Sequence, residues 1–413
     1  MVKIPELLAP AGSLEKGMVA ILYGADAVYG GLPHFSLRDK AHNLNYEELA
    51  YLAFFARSRG KRFYVTLNIF ARNEHIKKLP AILEYLEDLK VDAIIVSDPG
   101  VIRLAHKYAP SIPIHLSTQA NTTNLESLWF WKEQGVQRVN LARELTYGEL
   151  REICANAPIE VEVFVHGAMC VSYSGRCLLS AMMTGRSANL GLCTHPCRWS
   201  YGLVETSRPG EVFTITEEGG ETFILNSKDL CLLERLGDIL LLPVDSLKIE
   251  GRMKSFLYVA TTTMVYRNAI DAWATGNVTS ERITSWMEEL SCVSHRPYTW
   301  GMLFPGGGGT ESPVQYERNY ALAALVMNPP EVRLDLPVVE DMVYLRVRRQ
   351  IRVGDELTFL YPDEHRVRLI VEKMERPDGT CIDTANPGMV IRLPVSFETF
   401  SYQVVRVRVR EDR

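Results

Sequence analysis

The chain contains no apolar run approaching the ~20 residues needed to span a bilayer, so a membrane-embedded protein is not expected. Its start, MVKIPELLAPAG, lacks the basic stretch and apolar segment of a secretory signal, which points to the cytoplasm. No strong charge of either sign is present. The formal net charge is -5 and the isoelectric point about 6.1, so the chain as a whole is not a basic nucleic-acid binder, and an RNA partner would need a local cationic patch. The G-x-G-x-x-G turn of dinucleotide-binding sheets is missing, as are H-E-x-x-H and G-x-S-x-G. These absences remove the usual sequence marks of a Rossmann dehydrogenase, a zincin protease and an α/β-hydrolase.

Cysteine is sparse except in one place. Four of the eight cysteines, Cys170, Cys177, Cys193 and Cys197, are spaced C-x6-C-x15-C-x3-C between Glu160 and Cys197. In a reducing compartment such grouping indicates metal binding or catalysis rather than disulfides. Four thiolates can hold an iron–sulfur cluster or zinc. Only Cys193-x3-Cys197 resembles the short knuckle of a structural zinc site, which favours iron–sulfur and leaves zinc as the alternative. Cys154, Cys292 and Cys381 read as packing residues. Cys231 follows Asn226-Ser227-Lys228-Asp229 and is an alternative ligand. A cysteine nucleophile with His166 as base would account for one thiol and leave three unexplained.

Up to about residue 275 the chain alternates short apolar strands with amphipathic helical stretches. The strands are read at Glu6–Leu8, Ala27–Tyr29, Phe63–Leu67, Ala93–Val96, Ile112–Leu116, Arg138–Leu141, Val161–Val165 and Ser246–Ile249. Such alternation implies a parallel sheet, and eight units imply a (β/α)8 TIM-barrel-like domain. Sites in that fold lie at the carboxyl ends of the strands. There the chain places Asn68, Gln119, Arg143, His166 and the run Lys248-Ile249-Glu250-Gly251-Arg252. His166 and Glu250 are candidate proton carriers. Arg143, Lys248 and Arg252 are candidates for holding an anionic carboxylate ligand. Asn68 and Gln119 complete the expected substrate-binding set.

Between the seventh and eighth strands the alternation breaks. The cysteine-rich insertion, 168–230, carries a hairpin expected around Glu217-Glu218-Gly219-Gly220. Asn226-Ser227-Lys228-Asp229 then reads as the cap of a helix through Leu230–Leu236. Long helices are expected over Phe256–Thr275 and 279–291. The barrel domain is placed at 1–304, a linker around Gly306-Gly307-Gly308-Gly309 at 305–312, and a C-terminal all-β barrel at 313–413. The basic residues of that last domain are nearly all arginine, a side chain suited to bidentate phosphate contacts.

Glu162-x-Phe164-x2-Gly167-Ala168-x-Cys170, followed by Ser174-Gly175-x-Cys177-x2-Ser180, resembles the signature of the peptidase U32 family. LLAPAGSLE, YGADAVYGG, IPIHLSTQAN, CTHPCRWSY, NSKDLC and SLKIEGRMKSF extend the resemblance over nearly the whole chain. Blocks and length are most similar to the branch of that family implicated in tRNA hydroxylation. The resemblance implies an enzyme that converts the wobble uridine of a tRNA anticodon loop to 5-hydroxyuridine, with prephenate as cosubstrate. It further implies a 4Fe-4S cluster on Cys170, Cys177, Cys193 and Cys197, and a possible second U32-family subunit. The resemblance to members that use the cysteine of the NSKDLC block keeps Cys231 open as the fourth ligand. Other branches imply hydroxylation of rRNA or of a ubiquinone-type aromatic precursor, or a peptidase or collagenase activity.

Overall fold

The computed structural model describes residues 3–33, 35–36, 43–170, 172–173, 176–198, 228–305, 319–329, 337 and 339–409, with the backbone of the short strand pairs 203–204 with 212–213 and 217–218 with 221–222. Eight parallel strands close into a barrel: β1 (Glu6–Pro10), β2 (Ala27–Gly31), β3 (Arg62–Leu67), β4 (Ala93–Val96), β5 (Ile114–Leu116), β6 (Arg138–Asn140), β7 (Glu160–Ala168) and β8 (Ser246–Ile249). Each pairs with its neighbour in sequence, and β8 pairs with both β7 and β1 to complete the ring. The strands are short apolar runs because helices cover their outer face, so both faces are dry. The intervening helices begin on side-chain caps: Ser13, Asn45, Asp98, Asn124, Thr146 and Ser255 each accept a hydrogen bond from the first turn.

The lower lumen is charged. Glu6, Arg138, Glu162 and Lys248 are all buried there. Arg138 reaches Glu6 at 2.6 Å and Lys248 reaches Glu162 at 2.7 Å. Glu162 also accepts from Asn140 at 2.6 Å and Ser246 at 2.9 Å. Burial acts to raise the Glu162 carboxyl, but Lys248 and Arg138 outweigh it and hold the group at about 2. Burial first, and then Arg138, lowers the neighbouring His115 to about 3.

Both shifts make acid destabilising. The unfolded chain protonates His115 near pH 6.5, whereas the native state resists down to about 3. That stability is therefore complete above pH 6.5 and is lost as pH falls toward 3. The Glu162 contribution follows between about 4.5 and 2. Thermal melts are expected to show Tm falling steadily below pH 6. His115→Asn is expected to reduce the slope by one proton, about 1.4 kcal/mol per pH unit. An unchanged slope would rule out His115 as the titrating group.

The helix expected through Leu230–Leu236 does not form. Asn226 and Ser227 lie outside the described residues. Asp229–Cys231 is a strand antiparallel to β7, with Asp229 opposite Ala168 and Cys231 opposite His166. A 3-10 turn at Leu233–Arg235 and a helix at Leu236–Leu240 follow. The cause is the length of β7. At nine residues it outruns the four of β8, so its upper half offers an open hydrogen-bonding edge. Asp229 turns to Arg296, which contacts it through Nε at 3.0 Å and Nη2 at 2.6 Å. The hairpin expected around residues 217–220 is present, pairing Glu217–Glu218 with Glu221–Thr222.

Phe256–Thr275 and Ser280–Ser291 are helices close to their expected bounds. The four-glycine segment read as a linker lies outside the described residues. Beyond it an eight-stranded antiparallel sheet runs in the order Arg366–Ile370, Glu356–Leu360, Val404–Arg408, Tyr320–Val326, Met342–Val347, Val390–Pro394, Met374–Glu375, Cys381–Ile382. It has its own apolar core. It also docks on the barrel helices: the Tyr23 hydroxyl donates to the Leu360 carbonyl and accepts from the Val404 amide, each at 2.9 Å.

Candidate active site at the barrel mouth

The carboxyl ends of the strands form a polar rim. Asn68, beyond β3, donates to Ser117 at 3.2 Å and to Gln119 at 3.5 Å, both beyond β5. All three are buried. Across the mouth the Tyr29 hydroxyl bonds the Glu250 carboxylate and the Ile249 carbonyl, each at 3.0 Å. Arg252 is buried and donates to Ser36 at 2.7 Å, to Thr66 at 3.4 Å and to Asn43. Arg143 donates to the Ala168 carbonyl at 3.0 Å and lies 5.1 Å from the Phe164 ring centroid.

Close backbone approach fixes this rim. A Cβ at Gly12 would stand 1.8 Å from the Arg252 carbonyl oxygen, so only glycine lets the loop after β1 lie against the loop after β8. Gly167 has φ +114, and a Cβ there would stand 2.4 Å from the Glu250 carbonyl oxygen. Sequence reasoning singled out Asn68, Gln119, Arg143, Glu250 and Arg252, and all stand at these strand ends. It missed Tyr29, Ser36, Asn43 and Thr66. Tyr29 and Thr66 were legible from strand alternation, whereas Ser36 and Asn43 sit in a loop whose path only the fold defines.

Two candidates lie elsewhere than at an open rim. Lys248 is inside the lumen, paired with Glu162, with its ammonium 4.7 Å from the Tyr29 ring centroid. His166 is 1% exposed and packed among the rings of Tyr258, Tyr266 and Tyr298. Its Nδ1 is 3.4 Å from the Tyr266 hydroxyl, and Nε2 has no partner. Burial lowers its pKa to about 3 against the opposing pull of Asp229. At neutral pH this imidazole is therefore uncharged.

β7 leads without a break to Cys170, which is exposed, while Cys177, Cys193 and Cys197 are partly buried. All four are free of disulfides. The loop is tied by Ser180, whose hydroxyl donates to the Arg186 carbonyl at 2.6 Å and accepts from the Thr194 amide at 3.1 Å. The Thr184 and Thr194 hydroxyls stand 3.1 Å apart. His195, unnoticed in the sequence, sets its Nδ1 3.9 Å from the Cys193 sulfur. Among the described residues no three His, Cys, Asp or Glu side chains converge closely enough to hold a metal. The fit to an iron–sulfur cluster or zinc is therefore one of donor chemistry: four thiols, none in a disulfide and none fully buried. Cys231 differs. It is 3% exposed, its sulfur lies 3.8 Å from the Tyr266 hydroxyl and 4.0 Å from the Met287 sulfur, and burial pushes its thiol up to about 12. No helix among the described residues is long and apolar enough to cross a membrane.

Residues 12–310 match the family model described as Peptidase family U32, and residues 331–406 match that of the Peptidase family U32 C-terminal domain. The chain is 40% identical over 409 residues to "tRNA hydroxylation protein P1" of Bacillus subtilis (strain 168), covering 98% of this chain and 95% of that protein. It is 37% identical over 433 residues to "tRNA hydroxylation protein P" of Escherichia coli (strain K12), covering 95% and 94%. It is also 38% identical over 267 residues to "23S rRNA 5-hydroxycytidine C2501 synthase" of the same organism, covering 65% of this chain and 39% of that one.

Proposed function

This chain belongs to peptidase family U32, and we propose that it is an RNA-modifying enzyme that hydroxylates tRNA, converting the wobble uridine to 5-hydroxyuridine in the cytoplasm with prephenate as cosubstrate. The observation that carries this reading is near-full-length identity to proteins named for tRNA hydroxylation, spanning both the barrel and the C-terminal domain. The partial match to an rRNA hydroxycytidine synthase supports hydroxylation at a pyrimidine as the shared chemistry.

The mouth suits that chemistry. A single-stranded anticodon loop can splay a base outward at low cost, and an extruded base is read through its Watson–Crick edge. Asn68 and Gln119 carry amides that both donate and accept. They would meet the uracil N3–H and carbonyl oxygens. Arg143 and Arg252 would receive the carboxylates of prephenate, and Glu250, aligned by Tyr29, would take or return a proton at the base. Lys248, held by Glu162 in the lumen, would brace the end of β8 beneath the mouth. His166, neutral and buried, would position β7 rather than protonate substrate.

A resident iron–sulfur cluster would be held by Cys170, Cys177, Cys193 and Cys197 and would supply electron transfer beside the mouth. The apolar burial and raised thiol of Cys231 argue against it as fourth ligand. Nucleoside analysis of tRNA from a deletion strain without a redundant pathway tests the reading. Loss of 5-hydroxyuridine and its derivatives is expected, restored by the intact gene. Unchanged tRNA with loss of an rRNA hydroxypyrimidine would move the substrate to rRNA, and unchanged RNA of both kinds would overturn the reading.

A further inference from the structure

We propose that Lys16, Arg346 and Arg348, gathered where the C-terminal β domain meets the rim of the barrel, bind the phosphodiester backbone of the RNA. The proposal rests on the RNA reading above and gives it a location. Lys16 stands in the first turn of the helix Leu14–Leu22, four residues past Gly12. Phe256 opens the helix Phe256–Thr275, four residues past Arg252. Since the Gly12 backbone packs on the Arg252 carbonyl, both helices start at one point of the rim. Arg346, in the strand Met342–Val347, and Arg348, just beyond it, reach that point from the other domain.

Two arginines share one carboxylate there, and a lysine stands beside them. Arg346 and Arg348 both contact Glu15, the latter at 3.2 Å. The Lys16 ammonium and the Arg348 guanidinium lie 5.7 Å and 5.3 Å from the centroid of the same Phe256 ring. Among the described residues, the ion pairs of this set give three cations one carboxylate. Crowding shows in the titration too. Burial first, then Arg348, lowers the Lys16 pKa, and burial first, then Arg346, lowers that of Arg348. Arg346 Nε is buried with no hydrogen-bond partner. A phosphate oxyanion beside this group would relieve the repulsion and accept from the Lys16 and arginine donors not taken up by Glu15.

Other arginines of the same domain form ion pairs away from the rim. Arg406 and Arg366 both contact Glu289, at 3.2 Å and 2.9 Å for the Glu289 Oε2 contacts, Arg392 contacts Glu375 at 2.7 Å, and Arg368 stands 3.9 Å from Glu356. Much of the domain's arginine richness is thus a salt-bridged surface in which one acid serves two cations, and the Glu15 group is the one that lies at the rim. An RNA whose base enters the barrel would pass its backbone over this junction, and each neutralised phosphate would release counterions.

The test is fluorescence anisotropy with the full chain and a labelled anticodon stem–loop RNA, titrated from 50 to 200 mM KCl. The triple variant K16A/R346A/R348A, checked by thermal melting, is expected to bind at least about 10-fold more weakly. Its log K against log salt slope should be shallower by about 2 to 3. E15Q, which removes the shared carboxylate, is expected to tighten binding several-fold, a gain that damaged folding cannot produce. R368A, an exposed arginine of the same domain, is expected to bind like the parent chain. Parental affinity in the triple variant, weaker binding with an unchanged salt slope, or an equal loss in R368A would each overturn the site while leaving the RNA reading intact. A parent chain that fails to bind the RNA would overturn both.

Discussion

Cys193→Ser and Cys170→Ser are each expected to abolish 5-hydroxyuridine formation, lowering it at least about 100-fold, and to leave anaerobically purified protein depleted in iron and sulfide. The proposed cluster needs thiolate ligands, and a serine hydroxyl is a harder donor that poorly replaces them. Cys231→Ser is expected to keep both metal and activity. Its thiol sits in an apolar setting that pushes it up to about 12, so it is not poised to become a thiolate at neutral pH. Stability rather than loading should register that substitution. Iron and sulfide determination on the three variants, paired with tRNA nucleoside analysis, decides the ligand set. Full loading in Cys193→Ser with loss in Cys231→Ser would reverse the assignment. Zinc without sulfide in the parent chain would replace the cluster with a zinc site.

Glu162→Ala is expected to be the most destabilising single change inside the barrel, by about 3–5 kcal/mol. The lost packing is a minor part of that cost. Glu162 neutralises Lys248 at 2.7 Å and lies 3.7 Å from Arg138, both in the closed lumen. Its removal strands a buried ammonium. Arg138 keeps Glu6 at 2.6 Å and Glu160 at 2.8 Å, so the penalty falls mainly on Lys248. The double variant Glu162→Ala/Lys248→Met should therefore recover part of the loss, because the orphaned charge leaves with its partner. Urea unfolding of the parent, the two single variants and the double variant gives the coupling. Simple additivity of the two single effects would show that the pair does not act through its charges.

The barrel was legible because its signal is local. Short apolar strands alternating with capped helices read the same whatever surrounds them, and Ala93–Val96 and Ser246–Ile249 fall on their expected bounds. Strand ends then placed Asn68, Gln119, Arg143, Glu250 and Arg252 at the mouth, because parallel strands all point their carboxyl ends the same way. The cysteine spacing identified the insertion, and the family blocks identified the family, now supported across the whole chain.

What the sequence could not decide was what each polar residue meets. Asn226-Ser227-Lys228-Asp229 has the chemistry of a helix cap, yet Asp229–Cys231 became a strand because β7 presented a free edge, a partner some 60 residues away in sequence. Lys248 follows the same strand-end pattern as Arg252. One turns into the lumen to meet Glu162 and the other reaches Ser36 in the loop after β2, because Lys248 lies within β8 and Arg252 lies three residues past its end. His166 closes an apolar strand beside the cysteines, but three tyrosine rings keep it dry and neutral. Composition counted the arginines of the C-terminal domain. Only docking of that domain on the barrel separated those consumed by Glu289 from those set beside the rim. Periodicity and motif are carried by neighbours in the chain, whereas charge pairing and burial are carried by neighbours in space.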